Sequence, residues 1–186
     1  MFRKLIIAMA MMLLASTASA HDKWRAGEFR GAVILTITGN VALPTRGASN
    51  EDIDKFFSYN DLTFDKATQF DAAALATLPQ VTIDADFPKD GHVGEYTGPL
   101  VSDVLRSARA TGTTVTFRAL DGYAIEVPMQ DLIDNGAVLA LKLDGIPFGI
   151  GDFGPTQLVF PRLDRADLTD MNDDWWVYSI YHIHVE

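Results

Sequence analysis

The segment GIGDFGPTQLVFP, at positions 149–161, combines residue types that recognise a flat heterocycle. Its glycines, Gly154 among them, let the backbone approach a ligand closely. Asp152 offers two acceptor oxygens and Phe153 a flat face. These suit a pterin, because that ring presents two neighbouring N–H donors and stacks on aromatic side chains. A tight corner between strands explains the same glycines, so both interpretations stand.

Two adjacent tryptophans, Trp175 and Trp176, mark a second surface suited to a flat ligand. Apolar residues alternate from Trp176 to Val185 and predict a long final strand, on which neighbouring side chains face opposite sides. At least one indole should then lie at a rim, where a ring can stack on it. A core Trp176 with Trp175 capping an edge fits equally well. The remaining residues expected at a pterin site are Asp84, Asp86, Tyr96, Asp121 and Tyr123.

Three histidines define an alternative metal site. His182 and His184 lie two residues apart on the predicted last strand, so their rings project from one face. His21 adds an imidazole and, as the first residue of a processed chain, a free amine; nitrogen ligands of this kind suit Cu(II). A solvated edge strand explains the same pair, and nothing in the sequence brings His21 close to it.

The sequence offers little to a hydrolase. It has no G-x-S-x-G motif to expose a nucleophilic serine. A run of aspartates without an opposed carboxylate pair indicates a solvated acidic loop. It also lacks the Asp-x-Asp-x-Asp-Gly pattern that wraps calcium, although calcium binding stays open. The run consists of Asp164, Asp167, Asp170, Asp173 and Asp174.

Residues 1–20 have the organisation of an export signal, and we expect a periplasmic protein. A basic start and an apolar run at 5–14 precede the small-x-small site Ala18-Ser19-Ala20, so the processed chain begins at His21. The signal holds two of the 15 basic residues and none of the 25 acidic ones, so processing changes the net charge from −10 to −12. Residues 21–186 fit one domain. Their acidity and the absence of a second long apolar stretch argue against nucleic-acid binding and membrane spanning.

The chain contains no cysteine. This excludes disulfides, thiol nucleophiles, iron–sulfur clusters and cysteine zinc sites. The signal also lacks a twin arginine, which indicates export as an unfolded chain. A chain exported in this way cannot carry a cofactor that is inserted in the cytoplasm.

Local patterns predict an α+β domain with a mixed, largely antiparallel sheet and short helices. The predicted strands are Val33–Thr38, Val81–Asp84, Val138–Leu143, Leu158–Phe160 and a hairpin that turns at Asp121-Gly122. The predicted helices are Glu51–Phe57 with Asn50 as N-cap, a helix capped by Asp71, one that starts at Pro99 and one between Pro128 and Gly136. A polar loop is expected to hold Asp86, Asp90, His92 and Glu95. The expected core residues are Val115, Phe117, Ile125, Val127, Leu139, Leu141 and Leu158.

The order of motifs resembles the sulfite-oxidase-type molybdopterin-binding fold in a small, single-domain periplasmic form. The motifs are YTGPLVSDVL, FRALDGYAIEVPMQDLI, ALKLDGIPFGIGDFGPTQLVFP and WWVYSIYHIHVE, and they span the chain from about Gln80 to its end. The resemblance implies an α+β domain whose cofactor site lies at the loops.

The chain departs from the enzymes of that type at their metal ligand. They hold molybdenum through a cysteine thiolate, which the resemblance places in the segment VTIDADFPKDG, and this chain has none. The enzyme loop often written Arg-Asp-x-Gly-Pro reads Gly151-Asp152-Phe153-Gly154-Pro155 here, without the arginine that helps to hold a phosphate. We therefore expect a pterin-shaped site without molybdenum and no metal-centred catalysis.

Small members without the cysteine resemble periplasmic regulators that bind a reduced pterin. Such regulators act on the periplasmic domain of a membrane-bound diguanylate cyclase/phosphodiesterase, and so on cyclic di-GMP signalling and biofilm formation. A molybdopterin-dependent oxidoreductase or its accessory subunit is the first alternative. A periplasmic copper-binding protein is the second. For regulation, an acidic rim is expected to meet the partner, formed by Asp86, Asp90, Asp121, Asp164, Asp167 and Asp170.

Overall fold

The computed structural model describes residues 29–87 and 93–186. The predicted signal, His21, Asp90 and His92 lie outside these ranges. The strands are β1 Val33–Gly39, β2 Thr68–Asp71, β3 Gln80–Asp86, β4 Val93–Pro99, β5 Thr114–Ala119, β6 Ala124–Pro128, β7 Val138–Ala140, β8 Lys142–Leu143, β9 Ile146–Pro147, β10 Gln157–Val159 and β11 Ile180–Val185. The α-helices are α1 Lys55–Tyr59, α2 Ala72–Ala76, α3 Val101–Ser107 and α4 Met129–Asp134, with short 3-10 helices at Ala166–Leu168 and Asp173–Trp175.

A five-stranded sheet forms the centre of the fold, in the order β2-β1-β11-β5-β6. β1 pairs with β11 in parallel, and the other pairs in this sheet are antiparallel. Apolar residues at alternate positions bury one face completely, with Leu35, Ile37, Phe117 and Ile183 each 0% exposed. The predicted mixed, largely antiparallel α+β architecture is confirmed.

A four-stranded sheet, β3-β4-β8-β9, and the β10-β7 pair pack beside the central sheet. β4 was not predicted from the sequence, because the polar residues around Glu95 hide its alternation with the buried Tyr96. Gly98 lets β4 approach β7: a Cβ there would lie 2.0 Å from the carbonyl oxygen of Leu139.

Helix starts follow local hydrogen bonds more closely than apolar spacing. The Asp71 carboxylate accepts the Ala74 amide at 2.7 Å, which confirms it as the N-cap of α2. The predicted helix between Pro128 and Gly136 is also confirmed, as α4. The predictions for the two remaining helix starts were wrong. α1 begins at Lys55, since Asn50 accepts the Asp52 amide in a turn, and α3 begins at Val101, since Pro99 ends β4. No helix within 29–87 and 93–186 is long and apolar enough to cross a membrane.

The long final strand predicted from Trp176 was wrong. β11 begins at Ile180, while Trp175 ends a 3-10 helix and Ser179 has a φ of 57° that breaks an extended backbone. The expectation that the two indoles face opposite sides of one strand therefore does not apply. Both pack against Phe160, with ring centroids 6.2 and 5.9 Å away.

Replacing Phe117 tests the orientation of the central sheet. Phe117→Ala should lower the free energy of unfolding by roughly 3–5 kcal/mol, because truncating a fully buried ring leaves a cavity. Tyr59→Ala is the control, since that ring is 81% exposed; its effect should stay within about 0.5 kcal/mol. Urea denaturation measures both. A loss below about 1 kcal/mol for Phe117→Ala would contradict the assigned faces.

Candidate functional site

A cavity of about 250 Å³ opens where the β5–β6 turn, the end of β3 and the segment before β11 meet. Four aromatic side chains line it: Phe87, Tyr123, Trp176 and Tyr178. Three carboxylates share the lining: Asp121, Asp173 and Asp174. We name this cavity the acidic pocket. It brings together Asp121, Tyr123 and Trp176 of the residues expected from the sequence.

Tyr123 ties the β5–β6 turn to the 3-10 helix at Asp173–Trp175. Its amide donates to the Asp121 carboxylate at 2.9 Å, and its hydroxyl donates to the carbonyl oxygen of Asp174 at 3.2 Å. Burial, and then the negative charge of Asp174, raise the pKa of Tyr123 above its usual 10.0. The hydroxyl therefore stays protonated at neutral pH and keeps its bond to Asp174.

The loop 149–155 packs against two aromatic residues that line the acidic pocket. Phe153 packs against Phe87 and Tyr178, with centroid distances of 5.5 and 5.9 Å. The Asp152 carboxylate accepts the amides of Gly149 at 3.0 Å and Gly154 at 2.9 Å, so it closes its own loop. Asp152 is not among the lining residues, so the structure does not bring it into the acidic pocket with Asp121, Tyr123 and Trp176.

Arg162 connects the end of β3, the 3-10 helix at Asp173–Trp175 and the Trp176 ring. It was not predicted as a site residue. Its Nε and Nη2 donate to the two oxygens of Asp86 at 2.8 and 2.6 Å. Its Nη1 donates to Asp173 at 2.8 Å, and the guanidinium carbon lies 5.2 Å from the Trp176 ring centroid. The only cue in the sequence is an arginine directly after Pro161, at the start of the acidic run.

The positive charge of Arg162 is neutralised by its two carboxylate partners, Asp86 and Asp173. Its hydrogen bond to Asp86 lowers the pKa of that carboxyl below the usual 3.8, against the opposing effect of burial. A second, wider depression lies beside the acidic pocket and shares Asp173 with it. Its lining also includes Asp86, Arg162, Asp164 and Asp170. Among the described residues that line the two depressions, Arg162 is the only basic one, so the described lining of both is acidic.

Three other expected residues lie away from the acidic pocket. Asp84 is exposed on β3, opposite Glu95, and Tyr96 is fully buried in the core. Trp175 is half-buried against Phe160. Trp176 contributes a further feature: its buried Nε1 has no hydrogen-bond partner in the part of the chain that the structure describes.

The histidine pair lies on a central strand rather than a solvated edge, so that interpretation was wrong. Thr38 Oγ1 lies 2.9 Å from His182 Nε2 and 2.9 Å from His184 Nδ1. Burial, the His184 charge and the Arg118 charge lower the pKa of His182 to about 3, so it stays neutral. Within the described ranges no three His, Cys, Asp or Glu residues form a metal cluster, and His21 lies outside them.

The residues at the end of β3 do not fit molybdenum held by a thiolate. The described part of the segment where the resemblance places that cysteine runs from Val81 to Phe87 and includes Asp86, whose two oxygens accept from Arg162. A carboxylate is a hard ligand, unlike a soft thiolate, and this one already has its partners. The pocket therefore offers hydrogen-bonding and stacking groups in place of a metal ligand.

The fold is similar to that of the sulfane dehydrogenase SoxCD from Paracoccus pantotrophus, with a TM-score of 0.56 and 17% sequence identity. The match covers 81% of this chain and 37% of the SoxCD chain, so this chain corresponds to a minor part of that protein. The likeness supports a sulfite-oxidase-like fold. No protein-family model and no curated protein matches the sequence.

Replacing Arg162 tests whether its bonds to Asp86 and Asp173 stabilise the fold. Arg162→Gln should lower the free energy of unfolding at neutral pH by roughly 1.5–3 kcal/mol, because it strips charged hydrogen bonds from partly buried carboxylates. The pKa of Asp86 is depressed in the folded state. The wild-type advantage is therefore full above the usual 3.8 and shrinks as the pH falls through the lower folded value.

Denaturation of both proteins between pH 7 and pH 2 measures this difference. Arg165→Gln is the matched control, because Arg165 pairs with Asp167 in an exposed ion pair. That control should track the wild type at every pH. If the difference in unfolding free energy between the wild type and Arg162→Gln does not change with pH, the assigned Arg162–Asp86 ion pair is contradicted.

Proposed function

We propose that this chain is a periplasmic pterin-binding protein that regulates a membrane-bound diguanylate cyclase/phosphodiesterase through its periplasmic domain. The observation that supports the ligand is the acidic pocket, where four aromatic side chains surround three carboxylates. A reduced pterin offers a flat ring for stacking and adjacent N–H donors for a carboxylate. Its size suits a cavity of about 250 Å³.

Asp174 is the carboxylate that we assign to the pterin donors. Asp173 accepts from Arg162, and Asp121 accepts from the Tyr123 amide. The Asp174 side chain lies exposed at the pocket, and within the described ranges no hydrogen bond engages its oxygens. It can therefore accept two N–H groups as a fork.

The charge balance favours a pterin without a phosphate. A phosphate needs an unpaired cation or several amide donors. Arg162, the basic residue in the described lining of the adjoining wider depression, is already bound by Asp86 and Asp173. A neutral pterin avoids placing an anion beside carboxylates, so we expect it to bind more tightly than a phosphorylated one.

Regulation rests on the acidic rim and on a difference between two states. Asp121, Asp164 and Asp170 line the two depressions, so a basic surface on the partner would be steered towards the ligand. A switch also needs the partner to prefer the liganded form, because equal affinities shift no equilibrium. The partner is inferred from the family resemblance.

A molybdopterin-dependent oxidoreductase, or an accessory subunit of one, is the second candidate. The similarity to the SoxCD fold favours it, since that protein is a sulfane dehydrogenase. Its redox chemistry would depend on another chain, because this one supplies no cysteine for the metal. Copper binding, the third expectation, depends on His21 and gains no support from the bonded pair His182 and His184.

Pterin affinity tests the proposed ligand and its acceptor. Asp174→Asn should weaken binding of reduced neopterin by roughly 1–3 kcal/mol, because the amide replaces one acceptor with a donor. Asp167→Asn removes the same charge from a residue that lines neither depression, so it should bind like the wild type. Fluorescence titration under anaerobic conditions measures all three. Equal affinities in the three proteins would contradict the assignment of Asp174.

Partner binding tests the regulatory half. The periplasmic domain of the cyclase/phosphodiesterase should bind more tightly when reduced neopterin is present, and the association rate should fall at high salt. Titration with and without the pterin at two salt concentrations measures both effects. Equal affinities would leave a pterin carrier, and no binding in any condition would favour the oxidoreductase alternative.

A further inference from the structure

The outer edge of β3 is an open sheet edge that the proposed function does not use. Within residues 29–87 and 93–186, β3 pairs with β4 alone, which makes it a terminal strand of the four-stranded sheet. Its seven residues pair with β4 one to one, without a bulge, and they include no lysine or proline. Proteins usually protect a strand of this kind, because its free backbone groups can pair with another chain.

The other terminal strands carry such protection. β7 and β9 have only three and two residues, and β6 ends at Pro128. On β2 the Gln69 amide donates to the Thr45 hydroxyl at 2.7 Å. On β10 the Leu158 amide donates to the carbonyl oxygen of Val177 at 2.7 Å. β3 is therefore the exception among the strands that the structure describes.

The bonds of β4 show which of its backbone groups face β3. The carbonyl oxygens of Glu95 and Thr97 accept the amides of Asp144 and Leu141, at 2.8 Å each, on the side of β4 that faces away from β3. Neighbouring residues of a strand direct their backbone groups to opposite edges. The backbone groups of Tyr96, which lies between the two, therefore point to β3.

The same alternation identifies the free groups of β3. Ile83 pairs with Tyr96, so its N–H and C=O groups point to β4. The N–H and C=O groups of Thr82 and Asp84 then point to the open edge. No hydrogen bond engages them within the described ranges, and both side chains are exposed on the outer face of the sheet.

The outer face beside this edge carries negative charge without a partner. Asp84 lies directly opposite Glu95, and both are exposed. In the described part of the chain, neither side chain forms a hydrogen bond or an ion pair. Like charges in opposite positions destabilise a sheet, and a basic side chain on the next strand would offset them. A second copy of this chain, with its net charge of −10, would add to the repulsion.

We propose that the open edge of β3 binds an extended segment of a partner protein in which apolar and basic residues alternate. The segment adds antiparallel to β3. Its basic residues lie opposite Thr82 and Asp84, and its apolar residues cover the half-buried Val81 and Ile83. Because Phe87 follows β3 and lines the acidic pocket, the segment lies next to that pocket. The surface requires no pterin, so it stands apart from the proposed function.

A peptide of four valines alternating with three lysines, blocked at both ends and labelled for fluorescence anisotropy, tests the arrangement. In the proposed register the lysine amides point to β3 and the valine amides point to solvent. N-methylation of the lysine amides should weaken binding by more than about tenfold, because bonds to the edge are lost. The matched control is the peptide methylated at its valine amides, which should bind like the unmodified one.

Two protein variants test the same edge. Asp84→Asn should weaken the lysine peptide by roughly two- to fivefold, the range of one exposed ion pair. Asp65→Asn is the matched control, since it removes the same charge from an exposed residue in the loop before β2, and it should leave the affinity unchanged. Thr82→Pro should abolish binding, because it removes an outward N–H that β4 does not use.

Circular dichroism confirms that each variant is folded, and the methylated peptides test the edge even if Thr82→Pro does not fold. The proposal is overturned if the unmodified peptide does not bind, or if the two methylated peptides bind equally. It is also overturned if Asp84→Asn and Asp65→Asn have the same effect. A dimer in light scattering that Thr82→Pro dissociates would overturn it as well, since a second copy would then occupy the edge.

Discussion

The geometry of the acidic pocket depends on the partly buried guanidinium of Arg162. A charge in a partly buried position is tolerated only with opposite charges and hydrogen bonds around it. Arg162 meets this condition by binding Asp86 at the end of β3 and Asp173 in the 3-10 helix, while it covers the Trp176 ring. Elements far apart in the chain are thereby fixed around one cavity. The same bonds neutralise the cation, so the site that they build remains acidic.

Much of the fold could be predicted because its signals are local. In the β5–β6 hairpin, apolar and polar residues alternate on both sides of the Asp121-Gly122 turn. The Asp71 carboxylate caps α2 by accepting the amide of Ala74, only three residues later. β4 was missed although its partner β3 directly precedes it, because the polar residues around Glu95 hide the alternation. The true start of β11 was missed because the backbone turn at Ser179 leaves no mark in the apolar pattern.

The site was predictable in part for the same reason. Residue chemistry picked out Asp121, Tyr123 and Trp176, and the fold brings them together. It also picked out Asp152, whose carboxylate instead accepts amides of its own loop, a bond that depends on coiled backbone geometry. Arg162 escaped notice because its importance arises only when Asp86, 76 residues earlier, is folded against it. The likeness to SoxCD describes the architecture, and at 17% identity the chemistry has to be argued from the side chains.

The central claim is that this sulfite-oxidase-like fold holds a pterin without its metal. The most direct test is to purify the protein from the cells that produce it, release whatever it carries, and identify the released compound by mass spectrometry and fluorescence. Molybdenum is measured in the same sample. We predict a pterin without a phosphate, close to one per chain, and only traces of molybdenum. Molybdenum at one atom per chain would contradict the account.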